Sequence, residues 1–279
     1  AELGVPALLI PEAQGGIGLN PLDAAIVAQS LGAHITPSPF LGTAVMAPTA
    51  LMASGGQYDD LLAEIAAGTH RVGIAFSEAI KRRNDAQVEA RDGALFGKSL
   101  FAFDADADSY LVADQKQHLY LVAADDPGLT RTHLTTVDKT RRTVELTYDN
   151  AAAQSVSTDV RVFESVLDIG RVAIAAAAMG AAHNMLDQAV EYAKQREQFN
   201  RPIGSFQAVK HMCAEMAAQL EPCRSMVWFA GHALAELPEE ARVTACHTKA
   251  HLAEVAQFVA KTATEVHGGM GFTDLVGLH

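Results

Sequence analysis

Arg196-Glu197-Gln198-Phe199-Asn200-Arg201-Pro202-Ile203-Gly204-Ser205-Phe206-Gln207 stands between two long stretches of helical period. Upstream, apolar residues recur at Val172, Ala176, Met179, Ala182, Leu186, Val190 and Ala193. That three-and-four spacing puts them on one side of a helix, which Pro202 ends. Downstream, a helix beginning near Ser205 places Phe206, Val209, Met212, Met216, Leu220, Val227 and Leu234 on one face. Pro222 inside it removes one backbone hydrogen bond and predicts a kink. Pro238-Glu239-Glu240 opens a third helix, since proline and acids suit a first turn, and Gly268-Gly269 stops it. Long helices with short links read as an up-down bundle over 161–279.

Moving toward the N-terminus, the period changes. Between 70 and 160, short β-branched or aromatic segments alternate with turn residues: Arg71–Phe76, Ala86–Ala90, Ala94–Phe101, Ser109–Ala113, His118–Ala123, Thr130–Leu134 and Thr143–Tyr148. Asp92-Gly93 and Asp126-Pro127-Gly128 are turn signals. The pattern predicts a small antiparallel barrel or sandwich. Residues 1–69 are rich in alanine and leucine and predict helices at Pro21–Gly32, Thr43–Ser54 and Tyr58–Ala67. The expected class is therefore α+β and multidomain: helical domain, β domain, helical bundle. The abrupt start at Ala1-Glu2-Leu3 suggests a fragment, and the N-terminal helical domain and the C-terminal bundle are both expected to be truncated.

Composition excludes several functions. A net charge of −12 over 279 residues, without a long basic run, opposes binding to a phosphate backbone. No uninterrupted apolar run of about 20 residues exists to span a membrane, and no signal peptide opens the chain. The three cysteines, Cys213, Cys223 and Cys246, have no metal-ligand spacing. They read as small buried hydrophobes in a reducing cytoplasm. His247 and His251 stand four apart on a helix, but Thr248 occupies the place of a metalloprotease glutamate and no third ligand is evident. No metal site is expected.

Two segments carry chemistry. In the segment around Arg196, a guanidinium supplies forked donors for a phosphate, an aromatic ring supplies a flat face, and the following helix start offers free N–H groups. The competing reading is a cation complementing a helix C-terminus. The second is His267-Gly268-Gly269-Met270-Gly271-Phe272-Thr273, where glycines permit a sharp turn and close approach to a ligand. Alone, this is only a helix stop.

Together, these segments resemble the acyl-CoA dehydrogenase family, and the resemblance extends over nearly the whole chain. Leu9-Ile10-Pro11-Glu12-Ala13-Gln14-Gly15-Gly16-Ile17-Gly18-Leu19 is similar to its N-terminal loop, and Val137-Asp138-Lys139-Thr140-Arg141-Arg142 to its late β-domain segment. Arg171 with the alanine-rich helix to Gly180, then Tyr192-Ala193-x-x-Arg196-x-x-Phe199, resembles its first bundle helix. The resemblance implies FAD as cofactor and α,β-desaturation of an acyl-CoA thioester. A carboxylate removes the α proton while the β hydride goes to the flavin. It further implies that Arg196, Phe199, Gln207, Gly268, Gly269 and Gly271 reach FAD across a subunit interface, with electron-transfer flavoprotein as a candidate electron acceptor.

Several positions depart from the family pattern. Its flavin-ring loop, Thr-Glu-Pro followed by Gly-Ser-Asp, reads here Phe76-Ser77-Glu78-Ala79-Ile80-Lys81-Arg82-Arg83, with Ser77 in place of the threonine. Its Lys-x-Trp-Ile-Thr-Asn segment reads Lys98-Ser99-Leu100-Phe101-Ala102-Phe103, so Leu100 replaces an indole and Ala102 a hydroxyl. One branch places its base just before the bundle arginine, where Gly170 stands here. Asp168 points elsewhere on the helix. The other base position falls past His279. Glu265 replaces the glutamine before the glycine turn, and a carboxylate there repels pyrophosphate. No catalytic residue is assigned. The pattern implies a non-catalytic subunit of a heteromeric dehydrogenase, as in actinobacterial steroid breakdown, paired in an α2β2 assembly with a homologous subunit that carries the base. Two other readings stay open: a self-sufficient homo-oligomer with its base beyond residue 279, and a flavin-free acyl-CoA-binding or scaffold protein.

Overall fold

The computed structural model describes residues 4–80 and 86–278. The chain falls into two compact units, one of residues 1–24 with 37–170 and one of residues 25–36 with 171–279.

The first unit joins short helices to a β-sheet. Helix α1, Pro21–Ala33, opens on Asn20, whose side-chain oxygen accepts from the amide of Leu22 at 2.9 Å and so caps the first turn. A π-helix, Phe40–Met46, runs directly into α2, Ala47–Met52; α3 follows at Asp59–Ala67 and the short α4 at Ser77–Ile80. Every residue from Phe40 to Met46 is buried. One helix over Thr43–Ser54 was expected; the wider π turn is invisible to period because the segment is apolar all round.

Among the described residues the sheet has eight strands: β1 Val72–Ala75, β2 Val88–Arg91, β3 Ala94–Phe103, β4 Ser109–Ala113, β5 Leu119–Ala123, β6 Leu129–His133, β7 Thr143–Ala152 and β8 Gln154–Ser157. Their order is β6-β7-β3-β1-β4-β5-β8, with β2 also paired to β3. Pairing is antiparallel throughout except for β1 with β4, which run parallel from Val72↔Ser109 to Ala75↔Val112. Leu95, Tyr110, Val112, Val122, Val144, Leu146 and Tyr148 fill one shared core. The eighth strand, β8, exceeds the seven expected.

The second unit is helical. It holds most of α1, the larger part of α5 (Val160–Gln195), α6 (Gln207–Glu236) and α7 (Pro238–His267). Helices α1 and α5 cross at two glycines. A Cβ on Gly180 would lie 2.0 Å from the Gln29 carbonyl oxygen, and one on Gly32 would lie 2.0 Å from that of Ala177. Only glycine lets the backbones meet this closely. The Asn184 amide then donates to the Ala33 carbonyl at 2.7 Å, satisfying a helix-end acceptor. Helix α6 continues through Pro222 and buries Met216, Leu220, Cys223 and Val227, while α7 buries Leu252, Val255 and Val259. Cys223 thus meets the buried expectation, Cys213 does so in part, and Cys246 is exposed on α7. Among the described residues no helix is long and apolar enough to cross a membrane, and no cluster of metal-ligating side chains occurs.

Candidate functional site

The link between α5 and α6 is a small hairpin. Helix α5 stops at Gln195, earlier than Pro202, because Glu197–Gln198 turns back to pair with Arg201–Pro202. Phe199 and Asn200 form the two-residue tip with φ of 54° and 59°. Two positive φ values suit the right-handed twist of a tight hairpin, a conformation natural to asparagine and strained for phenylalanine. Phe199 is 86% exposed, yet its ring meets that of Phe206 edge-on with centroids 6.0 Å apart at 80°. The two arginines divide their work. Arg201 lies over the Phe206 ring, 4.0 Å from its centroid, and so belongs to the hairpin's own packing. Arg196 is exposed, and among the described residues its guanidinium has no hydrogen-bond or ion-pair partner. Gln207, also exposed, is the first residue of α6.

After α7 the chain makes a 3-10 turn over Gly268–Phe272. Its three glycines have different causes. Gly268 adopts φ 60°, ψ −137°, a conformation closed to other residues. Gly271 is buried, and a Cβ there would stand 2.7 Å from the Thr264 carbonyl oxygen. Gly269 has neither reason: its φ is ordinary, and a Cβ would meet nothing within 4 Å. A bare, open backbone at Gly268-Gly269 suits the close approach of a group from outside the chain.

The hairpin and the glycine turn are tied together. The Tyr192 ring stacks on His267, with centroids 4.5 Å apart and planes at 29°. Tyr192 also accepts the Arg196 amide proton on its carbonyl at 2.8 Å, and His267 immediately precedes Gly268. The expected residues Arg196, Phe199, Gln207, Gly268 and Gly269 are thus exposed on one unit, with Gly271 buried as support. This stack joins them, and sequence spacing gave no sign of it.

The first unit holds the positions expected to serve a flavin ring. Ser77 starts a four-residue helix, Ser77–Ile80, and the expected cationic replacement at Lys81–Arg83 lies outside the described residues. Ala102 is fully buried in the β core. Lys98 pairs with Glu145 at 2.6 Å, and the Ser99 hydroxyl lies 3.2 Å from that of Tyr148. Gly170 is buried, and a Cβ there would stand 3.0 Å from Sδ and 3.2 Å from Cε of Met46. Met46 therefore fills the space into which a residue at 170 would project. Asp168 is buried and engaged by neighbours.

Fold and sequence together identify the class: the chain belongs to the acyl-CoA dehydrogenase family. A profile of the acyl-CoA dehydrogenase C-terminal domain matches residues 160–279. The acyl-CoA dehydrogenase IpdE2 of Mycobacterium tuberculosis is 33% identical over 98% of this chain and 74% of its own length. Among solved structures, the Mycobacterium tuberculosis ChsE4-ChsE5 complex superposes with a TM-score of 0.85 at 27% identity, covering 98% of this chain and 76% of that one. A variant of the Tcur3481-Tcur3483 steroid ACAD gives 0.88 at 27% identity, covering 99% and 77%. Members of the family bind FAD. The second unit suits the ADP end of that cofactor: a guanidinium unpaired among the described residues for pyrophosphate, an exposed ring for a flat face, and an open glycine backbone.

Proposed function

We propose that this chain is the non-catalytic subunit of a heteromeric acyl-CoA dehydrogenase. Its Arg196, Phe199, Gln207 and Gly268–Gly271 complete the FAD site of a homologous neighbour in an α2β2 assembly. The substrate is an acyl-CoA thioester, of steroid origin by analogy with the Tcur3481-Tcur3483 steroid ACAD. When bound, FAD supplies the hydride acceptor. This chain's part is to hold the cofactor: Arg196 offers forked cationic donors, Phe199 an apolar plane, and Gly268-Gly269 an unobstructed backbone. The observation that carries the reading is the contrast between the two units. One presents an exposed edge on which the Arg196 guanidinium has no partner among the described residues. In the other, Ala102 is buried without a hydroxyl and Met46 occupies the space beside Gly170. Gly170 offers no group to take the α proton at the place where one branch of the family carries its base, and we assign that base to the partner.

Visible absorbance tests this directly. The chain purified alone is expected to be colourless, and yellow at one FAD per pair of unlike subunits when purified with its partner. A stable, stoichiometric flavin complex of the isolated chain overturns the proposal, as does a partner complex that never takes up flavin.

The strained tip gives a second check. Phe199→Asn relieves a left-handed phenylalanine and removes the edge contact with Phe206, effects of similar size and opposite sign. Stability of the isolated chain is expected to change by less than about 1 kcal/mol in thermal unfolding. FAD affinity of the complex should fall by roughly five- to tenfold, the loss of one aromatic contact. A large fall in stability with unchanged FAD affinity would assign the ring to the fold instead.

A further inference from the structure

We infer that Tyr192 and His267 are positioning residues for the cofactor edge, their ring stack holding the Arg196 hairpin in register with the Gly268-Gly269 turn. This rests on the reading of that edge as the FAD-binding one. The two segments follow the C-terminal ends of two different helices, α5 and α7, and each is short and largely exposed. Ligand-holding groups on such loops keep their geometry only if something rigid beneath them does. The stack is that support. His267 is 4% exposed and sits on the last turn of α7. Its Nδ1 lies 2.8 Å from the Ala263 carbonyl oxygen, which can only accept, so Nδ1 carries the proton and the ring orientation is set. The half-buried Tyr192 ring lies against it at 4.5 Å. From the stack, one backbone hydrogen bond leads to Arg196 and one peptide bond leads to Gly268. No other ring–ring contact joins α5 to α7 among the described residues.

A stack that serves packing alone and a stack that sets the cofactor edge differ in what they couple to. Tyr192→Phe keeps the ring, and the assembled complex is expected to bind FAD within twofold of wild type. Tyr192→Leu fills much of the space without a ring and is expected to weaken FAD binding at least tenfold, while the subunits still assemble. Because the effect runs through Arg196, the double variant Tyr192→Leu with Arg196→Ala should bind FAD no more weakly than the poorer single variant. If Tyr192→Leu prevents assembly, His267→Asn removes the other ring while retaining an N–H donor toward Ala263, and the same tenfold loss is expected. Losses that add in the double variant, or a lowered thermal midpoint with unchanged FAD affinity, would reduce the stack to packing. The two levels of failure are separable. Unchanged FAD affinity in Arg196→Ala alone takes Arg196 out of the edge and the stack's role with it. A weakened Arg196→Ala beside an unaffected Tyr192→Leu sinks only the stack.

Discussion

Arg196→Ala is expected to weaken FAD binding by the assembled complex ten- to a hundredfold. A charge-assisted contact to pyrophosphate in a closed interface contributes about 1.5–3 kcal/mol, and each 1.4 kcal/mol is one decade in affinity. The loss should appear only in the complex. Arg196 is exposed and its guanidinium has no partner among the described residues, so the isolated chain should unfold at the wild-type temperature. Arg196→Lys should recover part of the affinity, since an ammonium retains the charge but not the planar fork. Arg201→Ala should behave in the opposite way. Its guanidinium lies over Phe206, so its removal costs the hairpin stability and affects FAD only indirectly. Fluorescence titration of FAD into the four complexes, with thermal unfolding of each chain, separates the two arginines. Equal FAD affinity in wild type and Arg196→Ala would return Arg196 to the bland role of complementing a helix end.

That division between two arginines five residues apart was beyond the sequence. Both stand in the same polar segment, and only the hairpin's backbone decides which one folds onto Phe206. Much else was legible. Pro21, Pro238 and Gly268 mark helix ends to within a residue, because a missing amide proton or a tolerated positive φ acts locally. Ser109–Ala113 reads as a strand with the observed bounds, since the aromatic Tyr110 and β-branched Val112 among small and apolar neighbours fit a strand buried on both faces. The failures lie where packing, not local preference, decides. Gln154–Ser157 is a polar strand separated from β7 by Ala153 alone, without turn residues to announce it. The parallel β1–β4 pair joins segments far apart in the chain. The glycines illustrate both cases: a run of three suggested a ligand turn, but only the space around each one distinguishes Gly269, which the chain itself does not require, from Gly271, which it does.

Gly170→Glu is expected to destabilise the chain by about 2–4 kcal/mol and to give no dehydrogenation. The first effect is steric and electrostatic. The new Cβ would stand 3.0–3.4 Å from three atoms of Met46, and although a methionine can yield to a methyl group, the rest of a glutamate has to displace it. The carboxylate would also enter a buried position, where its charged form is disfavoured and its pKa raised. Gly170→Ala isolates the first contact: it gains helix propensity, about 1 kcal/mol, against a small adjustment of Met46, and should be close to neutral. Combining Gly170→Glu with Met46→Ala makes room and should recover part of the lost stability. The second effect separates the readings of function. A base acts only beside a hydride acceptor, and Ala102, buried in the β core, has no hydroxyl to offer a flavin ring. Turnover of an acyl-CoA by the Gly170→Glu, Met46→Ala chain, assembled with a partner whose own base has been removed, is therefore expected to stay at background. Dehydrogenation in that complex would mean that a flavin ring does lie beside Gly170, and that this subunit lost its base while keeping a site of its own.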